Sequence, residues 1–146
     1  MAIDYTPNLT ADRFHLDLTH QIHALVGAWG CGKSQAAIWD VLQYQQRHPE
    51  ADILVVRDTY SALADSCVAQ WMRTFGEYGH LGGGMVPDFT WNKRVTGHNG
   101  KPITGVIKFR AAAEEWAIQK FLSMEVGMAW LEEATPGITA SGLLSQ

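Results

Sequence analysis

Apolar residues recur at helical spacing in three stretches of the chain. Over residues 34–48 they fall three or four positions apart, which predicts an amphipathic helix, and Pro49 is expected to end it. The same spacing over 61–78 predicts a second helix with one apolar face. The residues of that face are Ala64, Cys67, Val68, Trp71 and Phe75. A third helix is expected over 112–123.

Short apolar runs predict the strands of a sheet. Three of them, at 23–26, 53–56 and 126–131, have the length and composition of buried strands. Unbroken apolar runs are typical of parallel strands covered on both faces. Strand-like segments at 90–96 and 103–110 flank a turn that contains Asn-Gly, which predicts a β-hairpin. Three consecutive glycines make 79–84 a predicted loop.

The order of these elements indicates the fold class. A strand, a glycine loop and a helix are followed by a second strand and a second helix, which favours an α/β fold. We expect a mostly parallel sheet flanked by helices, with the β-hairpin as an insertion. With 146 residues, of which 47% are hydrophobic, the chain is long enough for one domain over 1–146.

Composition narrows the classes of function. The net charge of −4 excludes a generic coat for nucleic acid, so any polyanion must meet a local basic patch. Two cysteines cannot build a disulfide framework, which favours a reducing compartment. No apolar run reaches the ~20 residues that span a bilayer, and the polar N-terminus does not resemble a signal peptide, so no membrane association is expected.

Residues 27–34 match the phosphate-binding pattern G-x-x-x-x-G-K-[ST] in full. The nucleotide-binding candidates are Gly27, Ala28, Trp29, Gly30, Cys31, Gly32, Lys33 and Ser34. Glycines let the backbone amides of such a loop point inward, and the N-terminus of the following helix favours anions. Lys33 is expected to bridge the β- and γ-phosphates of a nucleotide and Ser34 to ligate Mg²⁺. The alternative is a glycine-rich turn with an incidental lysine.

The predicted strand 126–131 ends in Glu132 and Glu133. A hydrolytic P-loop enzyme needs carboxylates at the end of a buried strand. Glu132 would act on Mg²⁺, through water, and Glu133 would be the general base that activates the attacking water. The alternative is a strand that ends at a solvated acidic turn.

Two further segments, together with the glycine loop, suggest a family. Residues 55–63 contain apolar residues, Arg57, a Thr and then Ser-x-Leu, and residues 107–110 are followed by the acidic strand within 124–134. In these features the chain resembles the N-terminal ATPase domain of phage large terminase subunits, the motors that package DNA. The resemblance extends over about residues 5–137.

The resemblance implies a P-loop ATPase fold of the ASCE type, with ATP and Mg²⁺ as cofactors. It also implies double-stranded DNA, further copies of the chain in a ring, a small terminase subunit and a portal as partners, in the cytoplasm of an infected bacterial host. Arg57 matches an arginine near the nucleotide in the family; a salt bridge with Asp58 or another acid is the alternative.

Such ATPase cores usually have two more strands and a nuclease domain after the acidic strand, so the core is expected to be incomplete at its C-terminal end. A catalytically inactive nucleotide-binding module and another RecA-like ATPase remain alternatives.

Residues 89–110 hold five basic residues and no acidic one. A basic hairpin can contact phosphates without reading sequence. Lys93, Arg94 and Lys101 are the candidate DNA contacts. The alternative is a solvated hairpin whose charges protect an edge strand.

Overall fold

The computed structural model describes residues 5–27, 32–84, 87–113, 119–121 and 123–133. Two helices precede the sheet in the chain, α1 (Leu9–Leu16) and α2 (Lys33–Arg47). The Asn8 side chain caps α1 by accepting a hydrogen bond from the amide of Ala11. The sequence pattern does not predict α1, whereas α2 confirms the helix predicted over 34–48.

Five strands form one mixed sheet. They are β1 (Ile53–Arg57), β2 (Gly79–Leu81), β3 (Asp88–Trp91), β4 (Ile107–Ala111) and β5 (Met128–Leu131), in the spatial order β2-β3-β4-β1-β5. β4 and β5 run parallel to β1 on its two sides, and β2 and β3 extend the sheet with antiparallel pairs. The α/β class and the parallel centre confirm the predictions. β3 and β4 are antiparallel as predicted, but β3 ends at Trp91 and β4 begins at Ile107. Residues 92–106, around the Asn-Gly turn, form only the isolated bridge between Thr96 and Pro102 in place of the predicted strands.

A continuous helical segment connects β1 to β2. It comprises α3 (Tyr60–Ala62), a π-helical turn (Leu63–Val68), α4 (Ala69–Phe75) and a 3₁₀ turn (Gly76–Tyr78). The predicted helix over 61–78 is thus confirmed, but Ala64 is exposed and Leu63 is buried in its place. The wider π turn alters the helical period at this point, which the regular spacing of the sequence could not indicate.

The core lies on both faces of β1. Ile53 and Val55 belong to the larger cluster, in which Trp71 of α4 makes ring contacts with Phe75 and Phe89. Leu54 and Val56 lie in a smaller cluster, which also contains Phe121. Burial of successive residues on opposite faces explains why β1 is an unbroken apolar run.

Two predicted elements are wrong. Residues 23–26 form no strand: none of them pairs with the sheet, and Val26 is 93% exposed. A short apolar run becomes a strand only where a neighbour supplies the ladder bonds, and none of the described strands does so here. Residues 79–81 of the predicted loop instead form β2, because β3 pairs with them.

Half of the helix predicted over 112–123 falls outside the described residues; 112, 113 and 123 are not helical, whereas 119–121 are. None of the helices in the described ranges has the length and apolar character needed to cross a membrane.

Candidate functional site

The N-terminus of α2 forms one wall of the candidate site. Gly32 adopts a φ of +82° just before the helix, a conformation that favours glycine, and a Cβ there would meet no atom within 4 Å. The amide of Ala36 makes the first intrahelical bond, to the carbonyl of Gly32 at 2.9 Å. The amides that precede Ala36 in α2 have no acceptor within the helix, and the positive end of the helix dipole lies at this terminus. Lys33 Nζ donates to the carbonyl oxygen of Gly27 at 2.7 Å.

Ser34 joins this wall to the end of β5. Its Oγ donates to Glu132 Oε1 at 2.6 Å across 98 positions of the chain. Trp130 Nε1 donates to the other oxygen of the same carboxylate, Oε2, at 2.9 Å. Each oxygen of Glu132 therefore accepts one bond from a neutral donor, and the carboxylate is held in a fixed orientation beside the start of α2.

Glu133 lies on the other side of the strand end and is held by Arg57. Arg57 Nη2 donates to Glu133 Oε2 at 2.6 Å, and the Glu133 backbone has a φ of +49°. Few residues other than glycine adopt that conformation. Arg57 Nη1 donates to Ser66 Oγ at 2.7 Å, and Nε lies 3.6 Å from Asp58 Oδ1. The guanidinium thus connects the ends of β1 and β5 with the π turn.

The pKa of Cys67 reflects its burial and the nearby charges of Glu132 and Arg57. The thiol is buried, and its pKa is raised to about 11, chiefly by burial and further by the negative charge of Glu132, against a hydrogen bond from Ser66 and the charge of Arg57. Thiolate formation is therefore suppressed, and Cys67 acts as an apolar core residue.

The structure brings together most of the described candidates. Lys33 and Ser34 lie at the start of α2, with Glu132 directly beside them. Arg57 is next to Glu133 and in range of Asp58, so the salt-bridge alternative describes its observed contacts. The remaining loop candidates Ala28, Trp29, Gly30 and Cys31 fall outside the described residues.

Two contributors were missed by the sequence analysis, Ser66 and Trp130. The bond of Ser66 to Arg57 depends on the π turn. The bond of Trp130 to Glu132 depends on how these two side chains meet at the end of β5. No motif indicates either feature.

The three candidate DNA contacts, Lys93, Arg94 and Lys101, are exposed on the connection between β3 and β4. The other two basic residues of that segment are neutralised locally. Lys108 pairs with Asp52 at 2.9 Å and Arg110 with Asp88 at 2.8 Å.

No family model, curated protein or solved structure matches the chain.

The oxygen atoms of Ser34 and Glu132 can be compared with the ligands that Mg²⁺ prefers in proteins. Within the described ranges, no three His, Cys, Asp or Glu side chains are grouped so as to hold a metal ion. Mg²⁺ does not need such a cage, because it keeps several waters and binds through one or two carboxylates plus substrate phosphates. Ser34 Oγ and Glu132 Oε1, 2.6 Å apart, are hard oxygen ligands beside a helix N-terminus that favours anions. These residues fit a magnesium–polyphosphate group.

Proposed function

We propose that the chain binds Mg²⁺–ATP at the N-terminus of α2 and hydrolyses it. The observation that carries the proposal is the 2.6 Å contact between Ser34 Oγ and Glu132 Oε1. It joins the end of the glycine-loop pattern to the end of a parallel strand. In open α/β sheets, ligands bind outside the carboxyl ends of the strands, and both residues lie at that edge.

Each side chain has a separate task in this proposal. The first amides of α2 and the Lys33 ammonium compensate the negative charge of the phosphates. Ser34 and Glu132 hold Mg²⁺, which would supply charge neutralisation and polarise the terminal phosphate. Glu133 accepts the proton of the attacking water. Arg57 fixes the position of Glu133 and is the group nearest to that carboxylate.

We further propose that hydrolysis drives a DNA-packaging motor of the terminase type. The support is the resemblance carried by the glycine loop, the 55–63 segment and the acidic strand. On this proposal, copies of the chain act as a ring on double-stranded DNA, with a small terminase subunit and a portal, in the cytoplasm of the bacterial host.

A catalytically inactive nucleotide-binding module is the second candidate, and one observation favours it. Glu133 is paired with Arg57 and its side chain is 62% exposed, so the candidate base is engaged by a cation rather than directed toward the start of α2. Another RecA-like ATPase is a third reading of the same residues.

Binding is tested by titrating a fluorescent ATP analogue into the purified chain with Mg²⁺ or with EDTA. We expect Lys33→Ala to weaken binding in both conditions, since its charge acts on the phosphates directly. Ser34→Ala and Glu132→Gln should weaken binding only with Mg²⁺. Ser61→Ala, an exposed serine on α3, is the matched control. Equal affinities in all variants would refute the proposed site.

Hydrolysis is tested by release of radiolabelled phosphate. Release that is lost in Glu133→Gln, with nucleotide affinity unchanged, supports the ATPase. Nucleotide binding without release in the unsubstituted chain identifies the binding module instead.

A further inference from the structure

The basic residues of the described chain divide into paired and unpaired groups. Arg57, Lys108 and Arg110 each lie within 3 Å of a carboxylate oxygen. In contrast, Arg47 and Lys101 form no ion pair with any residue that the structure describes, and the guanidinium of Arg47 lies over the ring of Tyr44, 6.0 Å from the ring centroid. Lys93 and Arg94, on the same connection as Lys101, likewise form no ion pair with a described residue.

Arg47 and Lys101 line one open cleft with a volume of about 540 Å³. One side is the end of α2 and the chain that follows it, with Arg47, His48 and Glu50. The other side is the β3–β4 connection, with Asn99, Lys101 and Thr104. Lys101 was a candidate from the sequence, whereas Arg47 was not, because the two residues are far apart in the chain and the fold alone brings them to one cleft.

Backbone hydrogen bonds fix the two sides of the cleft against each other. The amide of His98 donates to the carbonyl of Gln46 at 2.8 Å, and the amides of Thr104 and Gly105 both donate to the carbonyl of Pro49, at 2.9 and 2.8 Å. Gly97 approaches so closely that a Cβ there would lie 2.4 Å from Pro49 Cγ. The two backbone segments that carry the cations are therefore fixed relative to each other, so little backbone entropy is lost when a ligand binds.

The cleft lies far from the proposed nucleotide site. It is formed at the C-terminal end of α2 and just before β1, whereas Ser34 and Glu132 lie at the N-terminal end of α2 and after β5. The 15 residues of α2 alone measure about 22 Å. One ligand of nucleotide size cannot occupy both places, so any ligand of the cleft would be separate from the nucleotide.

We propose that this cleft binds the sugar-phosphate backbone of a nucleic acid. The two cations and the open shape of the cleft suit an extended polyanion. Asn99 Nδ2 and the Thr104 hydroxyl add neutral donors of the kind that contact phosphates without reading sequence. Because the whole chain carries a charge of −4, attraction must be local to this surface. The inference deepens the proposed function by naming its nucleic-acid surface, but it needs no nucleotide.

The binding test uses fluorescence anisotropy with a labelled 20-base-pair DNA duplex and the RNA duplex of the same sequence, at 50–200 mM KCl. Each phosphate contact contributes about 0.9 to the slope of log affinity against log salt for DNA. We therefore expect Arg47→Ala with Lys101→Ala to lower the slope by about two and the affinity by about tenfold at low salt. Loss with either duplex supports the shared backbone chemistry, and the comparison shows which nucleic acid is preferred.

Two controls separate a specific cleft from general attraction. Arg73→Ala removes one exposed positive charge from α4 and should leave binding nearly unchanged. Glu50→Gln removes the only acidic group that lines the cleft among the described residues, so affinity should rise, which a misfolded variant cannot imitate. No binding to either duplex at 50 mM KCl, an unchanged double variant, or an equal loss in Arg73→Ala would overturn the proposal.

The proposal for the nucleotide site and the proposal for the cleft can be refuted independently of each other. Lys33→Ala should lose ATP and keep nucleic-acid binding, and the Arg47 and Lys101 variant should show the reverse.

Discussion

Arg57 holds the carboxylate of Glu133 at 2.6 Å, although the two residues are 76 positions apart. The same guanidinium donates to Ser66 in the π turn. Arg57 ends β1 and Glu133 follows β5, so this contact connects two parallel neighbours at their carboxyl ends. The backbone of Glu133 at this contact has a φ of +49°, in the left-handed region.

Replacing Arg57 by methionine should lower the free energy of unfolding. Arg57 is largely buried, and its hydrogen bonds to Ser66 and Glu133 would be lost. Because Glu133 is mostly exposed and regains water, we expect a modest loss of about 1–2 kcal/mol. Urea unfolding followed by circular dichroism measures it. Arg73→Met, an exposed arginine on α4, is the matched control, and equal urea midpoints for the two variants would contradict this role.

Gln45→Leu tests the polar group that α2 buries in the core. Gln45 is fully buried; it accepts from Trp91 Nε1 at 2.7 Å and donates to the carbonyl of Ala51 at 2.9 Å. Leucine has a similar volume but leaves the buried indole N–H of Trp91 and the partly buried carbonyl of Ala51 without these hydrogen bonds. We expect a loss of about 2–4 kcal/mol in the free energy of unfolding.

Thermal and urea unfolding of Gln43→Leu on the same helix provide the comparison. Gln43 is only half-buried and should tolerate the change to within about 0.5 kcal/mol. A Gln45→Leu protein as stable as the unsubstituted chain would show that water satisfies the two groups.

The pattern of apolar residues predicted the centre of the fold because burial and helix period there are visible within short stretches of the sequence. The run at 53–56 is buried on both faces, and the spacing over 34–48 follows the helix period. The segment 23–26 has the same composition as a strand, but strand formation depends on a neighbour, which composition cannot reveal. α1 was missed although Asn8 offers a capping signal, because its apolar positions show no clear period.

The candidate site was only partly predictable for the same reason. The glycine-loop pattern and the acidic strand end named Ser34 and Glu132, and the fold places them in contact. The hydrogen bond of Arg57 to Ser66 and the placement of Arg47 and Lys101 on one cleft depend on how separate elements pack. A single sequence contains no local signal for such contacts.

Gly105→Ala should destabilise the fold strongly, since Gly105 lies against the backbone of Ala51. A Cβ there would lie 2.0 Å from the Ala51 carbonyl oxygen and 2.8 Å from Gln45 Nε2. Backbone cannot move aside cheaply, so we expect a loss of about 3 kcal/mol or more. Gly83→Ala, where a Cβ meets nothing within 4 Å, is the control in the same thermal unfolding experiment. Similar melting temperatures for both variants would show that the β3–β4 connection is loosely attached.

The acid dependence of stability should change in Asp52→Asn. Partial burial acts to raise the pKa of Asp52, but the amide of Val106 and the ammonium of Lys108 outweigh it and hold the pKa below its ordinary value. A carboxyl whose pKa is lowered by folding stabilises the fold above its unfolded pKa of about 3.9. That contribution is lost as the pH falls through the lower folded value.

Urea midpoints between pH 2 and pH 7 test this sign. The unsubstituted chain should exceed Asp52→Asn in stability at pH 5–7, and the gap should close toward pH 2 as the carboxyl becomes protonated. Asp65→Asn, an exposed aspartate in the π turn with no ion pair in the described part of the chain, should show no gap at any pH. A gap for Asp52→Asn that stays constant down to pH 2 would mean that the bonds of Val106 and Lys108 do not depend on the charge of Asp52.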